Sequence, residues 1–192
     1  MFLGLTNGLG AVNAALLALG RWLGAICVAL MVVFILLQVG LRFFDNAPAW
    51  TEEATRFLML WMTGLMAPTA LRRGGFVSIE MLVRLLPERA AALLSLVLLG
   101  LSLTILISGL QIGWSEVTGL GGRFSTDSLW LPALDFSGWF KVPKSWMMAS
   151  LVVGLTLMIL VCVELMLRAM ATLAGAGAGL HLIPETAVGG TE

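Results

Sequence analysis

Residues 22–41 read WLGAICVALMVVFILLQVGL, twenty positions without a charge, closed by Arg21 on one side and Arg42 on the other. A helix rises about 1.5 Å per residue, so this run matches the roughly 30 Å hydrocarbon core of a bilayer. The two arginines can extend their apolar stems toward opposite interfaces. The run is a membrane span, and it sets the measure for the rest of the chain.

Three more uncharged runs follow, the first of them short. Residues 57–71, FLMLWMTGLMAPTAL, lie between Arg56 and Arg72. Residues before Phe57 extend the same helix outward, giving a span over about 54–71, with Pro68 near its end as a potential kink. Residues 90–115 are uncharged and long enough to tilt. Residues 145–163 are uncharged and close with Glu164 and Arg168. Backbone polar groups have no water to bind in hydrocarbon, and a lone chain without strand alternation offers no closed barrel, so all four spans must be helices.

Composition agrees. Of 192 residues 59% are hydrophobic and 11% charged, with a mean hydropathy of +1.01. Soluble domains carry about 25% charged residues. Net charge is zero, which gives no basic field for nucleic acid. Cys27 and Cys162 sit deep in apolar runs, as small packing residues do. Tyrosine is absent and His181 is the single histidine. The first residues lack a basic n-region, so the N-terminus is expected to be retained rather than cleaved.

The connecting segments complete a domain plan. Residues 1–20 are read as an N-terminal interfacial segment and 21–168 as the four-helix membrane domain. Within it, residues 76–87 are expected to form a short amphipathic helix in the interface: Ile79, Leu82, Val83 and Leu86 recur at helical spacing, over a length too short to span. Residues 116–144 hold Gly119, Gly121, Gly122, Pro132 and Pro143 with Trp130 and Trp139, and predict an irregular loop on the membrane surface. Residues 169–192 read as a flexible tail. With the N-terminus inside, the inner side carries Arg21, Arg72, Arg73, Arg84, Arg89 and Arg168, against Arg42, Arg56, Arg123, Lys141 and Lys144 outside. Six against five leaves the orientation open.

Little in the spans can do chemistry. None of the four runs holds an ionisable residue, which transport pathways usually need, and no pair of broken helices occupies corresponding positions. Axial histidines for haem are missing, as are nucleophile triads and phosphate loops. Gln38 and Gln111 can hydrogen-bond across helices, for about 1 kcal/mol each. The pairs Gly20/Gly24 and Gly109/Gly113 would let helix backbones approach. The chain is therefore expected to be no enzyme, to carry no cofactor or metal, and to transport nothing alone.

The densest constellation is Gln38 and Arg42, then Trp50, Glu52, Glu53, Arg56 and Trp61. Thr51 can cap a helix whose first turn holds the two acids, where the helix dipole favours them. Glu52 can pair with Arg56 four residues on, leaving Glu53 free. Two readings stand side by side: an ordinary charged helix entry, or a docking surface for a partner.

These residues also carry a resemblance. The run QVGLRFF (38–44), then WTEEATRFLMLW (50–61), Gly64, and ALRRGGFVSIE (70–80) resembles the small membrane subunit of tripartite ATP-independent periplasmic (TRAP) transporters. The likeness is close over residues 20–90 and looser beyond, where span spacing and a Pro143…Trp146 entry to the last helix are similar. It implies a four-helix bacterial inner-membrane protein with both termini cytoplasmic. It also implies two partners: a large permease subunit, expected as a separate polypeptide, that carries substrate and sodium, and a periplasmic substrate-binding protein. Family substrates are organic acids such as dicarboxylates, keto acids and sialic acids. Where the family often has a histidine after the Arg-Arg-Gly turn, this chain has Phe76. The rival reading is a membrane anchor or scaffold of a respiratory or other complex, against which the lack of intramembrane histidine counts.

Overall fold

The computed structural model describes residues 2–44, 48–73, 87–132 and 139–174. Four long helices dominate: α1 (Phe2–Arg42), α2 (Ala49–Arg72), α3 (Glu88–Thr118) and, after the one-turn α4 (Leu120–Arg123) and strands β1 (Ser125–Pro132) and β2 (Trp139–Pro143), α5 (Ser145–Leu173). Three segments, Thr6–Arg42, Ala90–Thr118 and Ser145–Leu173, are long and apolar enough to cross a membrane. α2 is 24 residues long and less apolar, because its first two turns carry Glu52, Glu53 and Arg56. The protein is an all-α membrane protein with a small β-hairpin between its last two long helices.

Three element boundaries differ from those expected of the sequence. The segment 1–20 is not separate: from Phe2 it is one helix with the first span. Thr6, Gly10, Asn13, Leu17, Gly20 and Gly24 recur at helical spacing and are buried, so packing continues along one face. At the other end, α5 runs to Leu173, past the expected limit of 163, and keeps Ala171 buried. The loop 116–144 is the third correction: α3 ends at Thr118, and the residues between it and α5 include α4 and an antiparallel hairpin. The amphipathic segment 76–87 falls, except for Pro87, outside the described residues, as does the tail after residue 174.

The chain divides into two compact units, each built from parts of the long helices. The first comprises Met1–Leu19, Ala67–Ser108 and Leu155–Glu192. Its apolar core is Leu17, Leu71 and Val161, with Met158 and Leu165 packed against it. Cys162 is buried there, its thiol donating to the Leu99 carbonyl at 3.3 Å.

The second unit comprises Gly20–Met66 and Gly109–Gly154. Here small residues let backbones meet. A Cβ on Gly154 would lie 2.7 Å from the Gly64 carbonyl oxygen and 2.8 Å from Gly64 Cα. That carbonyl has no helical donor, since the residue four ahead is Pro68, which lacks an N–H. A Cβ on Gly20 would sit 3.2 Å from the Leu65 carbonyl oxygen, and one on Gly113 3.3 Å from a Val152 methyl. Gly20 and Gly113, from the two pairs noted in sequence, thus serve close packing, but the tightest crossing uses Gly64 and Gly154, whose distance in sequence hid their partnership.

Candidate partner interface and buried ionic cluster

α2 begins at Ala49, two residues before Thr51, so Thr51 is not its cap. The Thr51 hydroxyl donates instead to the Pro48 carbonyl at 2.8 Å and is buried. Glu52 and Arg56 form the expected ion pair, four apart on the exposed face of the helix. Trp50 meets Phe34 of α1 edge-on, with ring centroids 5.7 Å apart. Trp61 stacks obliquely near Phe57 at 6.3 Å, and its buried indole N–H has no partner among the described residues. Arg42 is exposed in the last turn of α1, where a cation suits the helix dipole. Gln38 is half-buried one turn earlier, and no hydrogen bond joins it to the described residues.

Glu53 is not free, contrary to the expectation from spacing. Its Oε2 accepts three hydrogen bonds from the hairpin: from the Ser128 N–H at 2.8 Å, the Ser128 hydroxyl at 2.7 Å and the Leu129 N–H at 2.9 Å. The reason lies in the strand register. β1 and β2 pair at Trp130↔Lys141 and at Ser125↔Pro143, so β1 holds extra residues between those rungs. Such a bulge frees backbone donors from the ladder, and the Glu53 carboxylate takes them. The Thr126 hydroxyl ties the bulge to the Val142 carbonyl at 2.8 Å. On the outer face Lys141 Nζ stands 5.2 Å from the Trp130 ring centre, a cation–π contact.

The first unit holds a second polar site that sequence reasoning missed. Glu164 of α5 is fully buried. Its Oε1 accepts from Arg72 Nη2 at 2.8 Å and from Arg168 Nη2 at 3.0 Å, and its Oε2 accepts from Asn13 Nδ2 at 2.8 Å. Arg72 also donates to the Gly10 carbonyl at 2.9 Å, and Asn13 to the Leu160 carbonyl at 3.2 Å. The cluster thus joins α1, α2 and α5 through one carboxylate. Gly10 leaves room for the cluster: a Cβ there would lie 2.9 Å from Arg168 Nη2 and 3.0 Å from Glu164 Oε1, so these side-chain ends would have to shift. In sequence Arg72, Glu164 and Arg168 looked like charges closing the spans. The signal available was that Met166, Leu167, Met170 and Ala171 continue the apolar pattern beyond Glu164, placing that acid within a helix rather than at its end.

Among the described residues no three His, Cys, Asp or Glu side chains are grouped to hold a metal ion. Both carboxylates are consumed in holding elements together, Glu53 by a hairpin and Glu164 by three helices. These are fastenings.

Comparison with known families bears on what the fastened structure serves. Residues 30–172 match the family model described as the DctQ component of tripartite ATP-independent periplasmic transporters. The chain belongs to this TRAP small-subunit family. The match runs from the last third of α1 nearly to the end of α5 and includes Glu53, Arg72, Glu164 and Arg168, while Gly10 and Asn13 lie before it. A relative, the sialic acid TRAP transporter small permease protein SiaQ of Vibrio cholerae serotype O1, is 30% identical over 149 residues, covering 77% of this chain and 79% of its own length. No solved structure matches the chain. Membership makes this a transporter subunit and implies a complex with a large permease and a binding protein.

Proposed function

We propose that this TRAP small subunit is the stationary scaffold of a sodium-driven importer of organic acids. In this reading the large permease subunit carries substrate and sodium, and a periplasmic binding protein delivers the substrate. The name of the Vibrio cholerae relative points to carboxylated sugars of the sialic acid class as the first substrates to try. The observation that carries the scaffold role is the use of the buried charges: Glu164 is enclosed by Arg72, Arg168 and Asn13 of its own chain. A carboxylate so enclosed holds helices and is not offered to a moving ion or acid.

The protein acts in the bacterial inner membrane with both termini cytoplasmic, which sets the hairpin in the periplasm. Uptake into proteoliposomes tests the role. Vesicles with this chain alone should show no sodium-dependent accumulation of labelled sialic acid or dicarboxylate. Vesicles that also hold the large subunit, with binding protein added outside, should accumulate one of them. Accumulation by this chain alone would overturn the scaffold reading.

A further inference from the structure

The β1–β2 hairpin is fastened at two points, and both lie at helix ends. At its base the Lys144 N–H, one residue before α5, donates to the Phe124 carbonyl at 2.8 Å. Further along β1 the Ser128 and Leu129 N–H groups reach Glu53 in the second turn of α2. Glu53 stands four residues before Phe57, where the uncharged run of α2 begins, and four residues rise about 6 Å. The headgroup layer on each side of the hydrocarbon is about 5–8 Å deep. α5 is uncharged from Ser145 through Val163. A strand held at both places runs along the bilayer surface within the headgroup layer and does not stand out into water.

The side chains it exposes suit that layer. Phe124 is 64% exposed and Trp130 49%, and Trp114 near the end of α3 and Trp146 in the first turn of α5 are as open. Exposed rings grouped at one end of a molecule mark an interaction surface, and tryptophan with Lys or Arg is enriched at the membrane–water boundary. Here each hairpin ring has its own cation. Exposed Arg123 directly precedes Phe124, and the Nζ of exposed Lys141 is held 5.2 Å from the Trp130 ring centre. A ring suits the ester level of a leaflet, and a long cationic side chain reaches the phosphates beside it. A protein groove would have to place an anion opposite each cation, whereas headgroups offer phosphate at every position.

We propose that the outward side of the hairpin is a phospholipid-binding surface. Phe124 and Trp130 sink to the ester level, and Arg123 and Lys141 bind headgroup phosphates above them. The connection between α3 and α5 is thereby anchored to the bilayer itself, whichever solute the transporter carries.

Trp130→Phe provides the test, because wild-type emission minus that of the variant isolates this indole. The full chain alone is placed in nanodiscs containing phosphatidylglycerol. The Trp130 emission should be quenched more by phospholipids brominated near the carbonyl end of their chains than by those brominated near the methyl end, and should be shielded from acrylamide in the water. Each cation near an anionic surface shifts the balance between seated and lifted by about five-fold, so Arg123→Gln with Lys141→Gln should raise acrylamide quenching of Trp130. Both side chains are exposed, so that double variant should keep the parental melting temperature. An indole open to acrylamide and untouched by either bromolipid would overturn the proposal, as would a double variant whose quenching does not change. Shielding that appears only when the large subunit or the binding protein is added would show that protein covers the surface, and the lipid seat would be wrong while the subunit reading survives.

Discussion

Replacing Glu164 with leucine is the sharpest test of how this chain holds together. The carboxylate is fully buried and receives donors from three helices, and the Arg72 side chain it faces is only 3% exposed. Removing one partner of a buried ion pair leaves the other charge uncompensated, which costs about 3–5 kcal/mol. For a chain of this size each kcal/mol lowers the melting temperature by about 2–4 °C, so Glu164→Leu should melt about 6–20 °C below the parent in detergent. Glu164→Gln keeps an acceptor for Asn13 or Arg72 but not the charge, and should fall between the two. The double variant Arg72→Leu with Glu164→Leu removes the stranded guanidinium together with its partner and should recover part of the loss. Tryptophan fluorescence can follow all four proteins, since the chain has 7 tryptophans. A Glu164→Leu protein melting within about 2 °C of the parent, less than 1 kcal/mol, would refute the claim that the cluster fastens α1, α2 and α5.

Other perturbations probe the same geometry. Gly154→Ala places a Cβ against backbone atoms of Gly64 that cannot move aside, and should lower stability by about 1–3 kcal/mol; Gly8→Ala, with open space around it, should not. Glu53→Gln loses charge-assisted bonds to the bulge, so hydrogen exchange at the Ser128 and Leu129 amides should speed up while the long helices keep their protection. Glu52→Gln breaks only an exposed pair, worth less than about 1 kcal/mol, and should leave the melting temperature and co-purification of the large subunit near parental values. A cysteine at exposed Arg123 should react with an impermeant thiol reagent from the periplasmic side; labelling only from the cytoplasm would invert the proposed topology.

The helices were legible because hydrocarbon imposes one demand, a long uncharged run, and the runs stand plainly in the sequence. The ends were less so. A twenty-residue window is satisfied by residues 22–41, so nothing in hydropathy alone says that the same helix starts at Phe2; the buried series Thr6, Gly10, Asn13 and Leu17 says it, through periodicity rather than apolarity. The hairpin was hidden because β1 carries a bulge that interrupts the alternation a strand would show. At the candidate interface, the Glu52–Arg56 pairing came from spacing four on a helix. The fate of Glu53 did not, because its partners are backbone N–H groups 75 and 76 residues away, which no side-chain pattern announces. The ionic cluster was overlooked for the opposite reason: its members are visible, yet a charge at the end of an apolar run looks the same whether it meets water or a carboxylate.

The spacing of that cluster along the chain bears on biogenesis. Arg72 and Glu164 are 92 residues apart. At about 5–20 residues per second of synthesis, the arginine leaves the ribosome roughly 5–20 s before the acid that will neutralise it. For that interval the newborn helical hairpin of α1 and α2 must keep a guanidinium at the lipid boundary, with Gly10 and Asn13 already made but their anion still to come. The last helix therefore does more than finish the fold. Its arrival supplies the anion, and a chain truncated before Glu164 would lack the carboxylate that Arg72 pairs with in the complete fold.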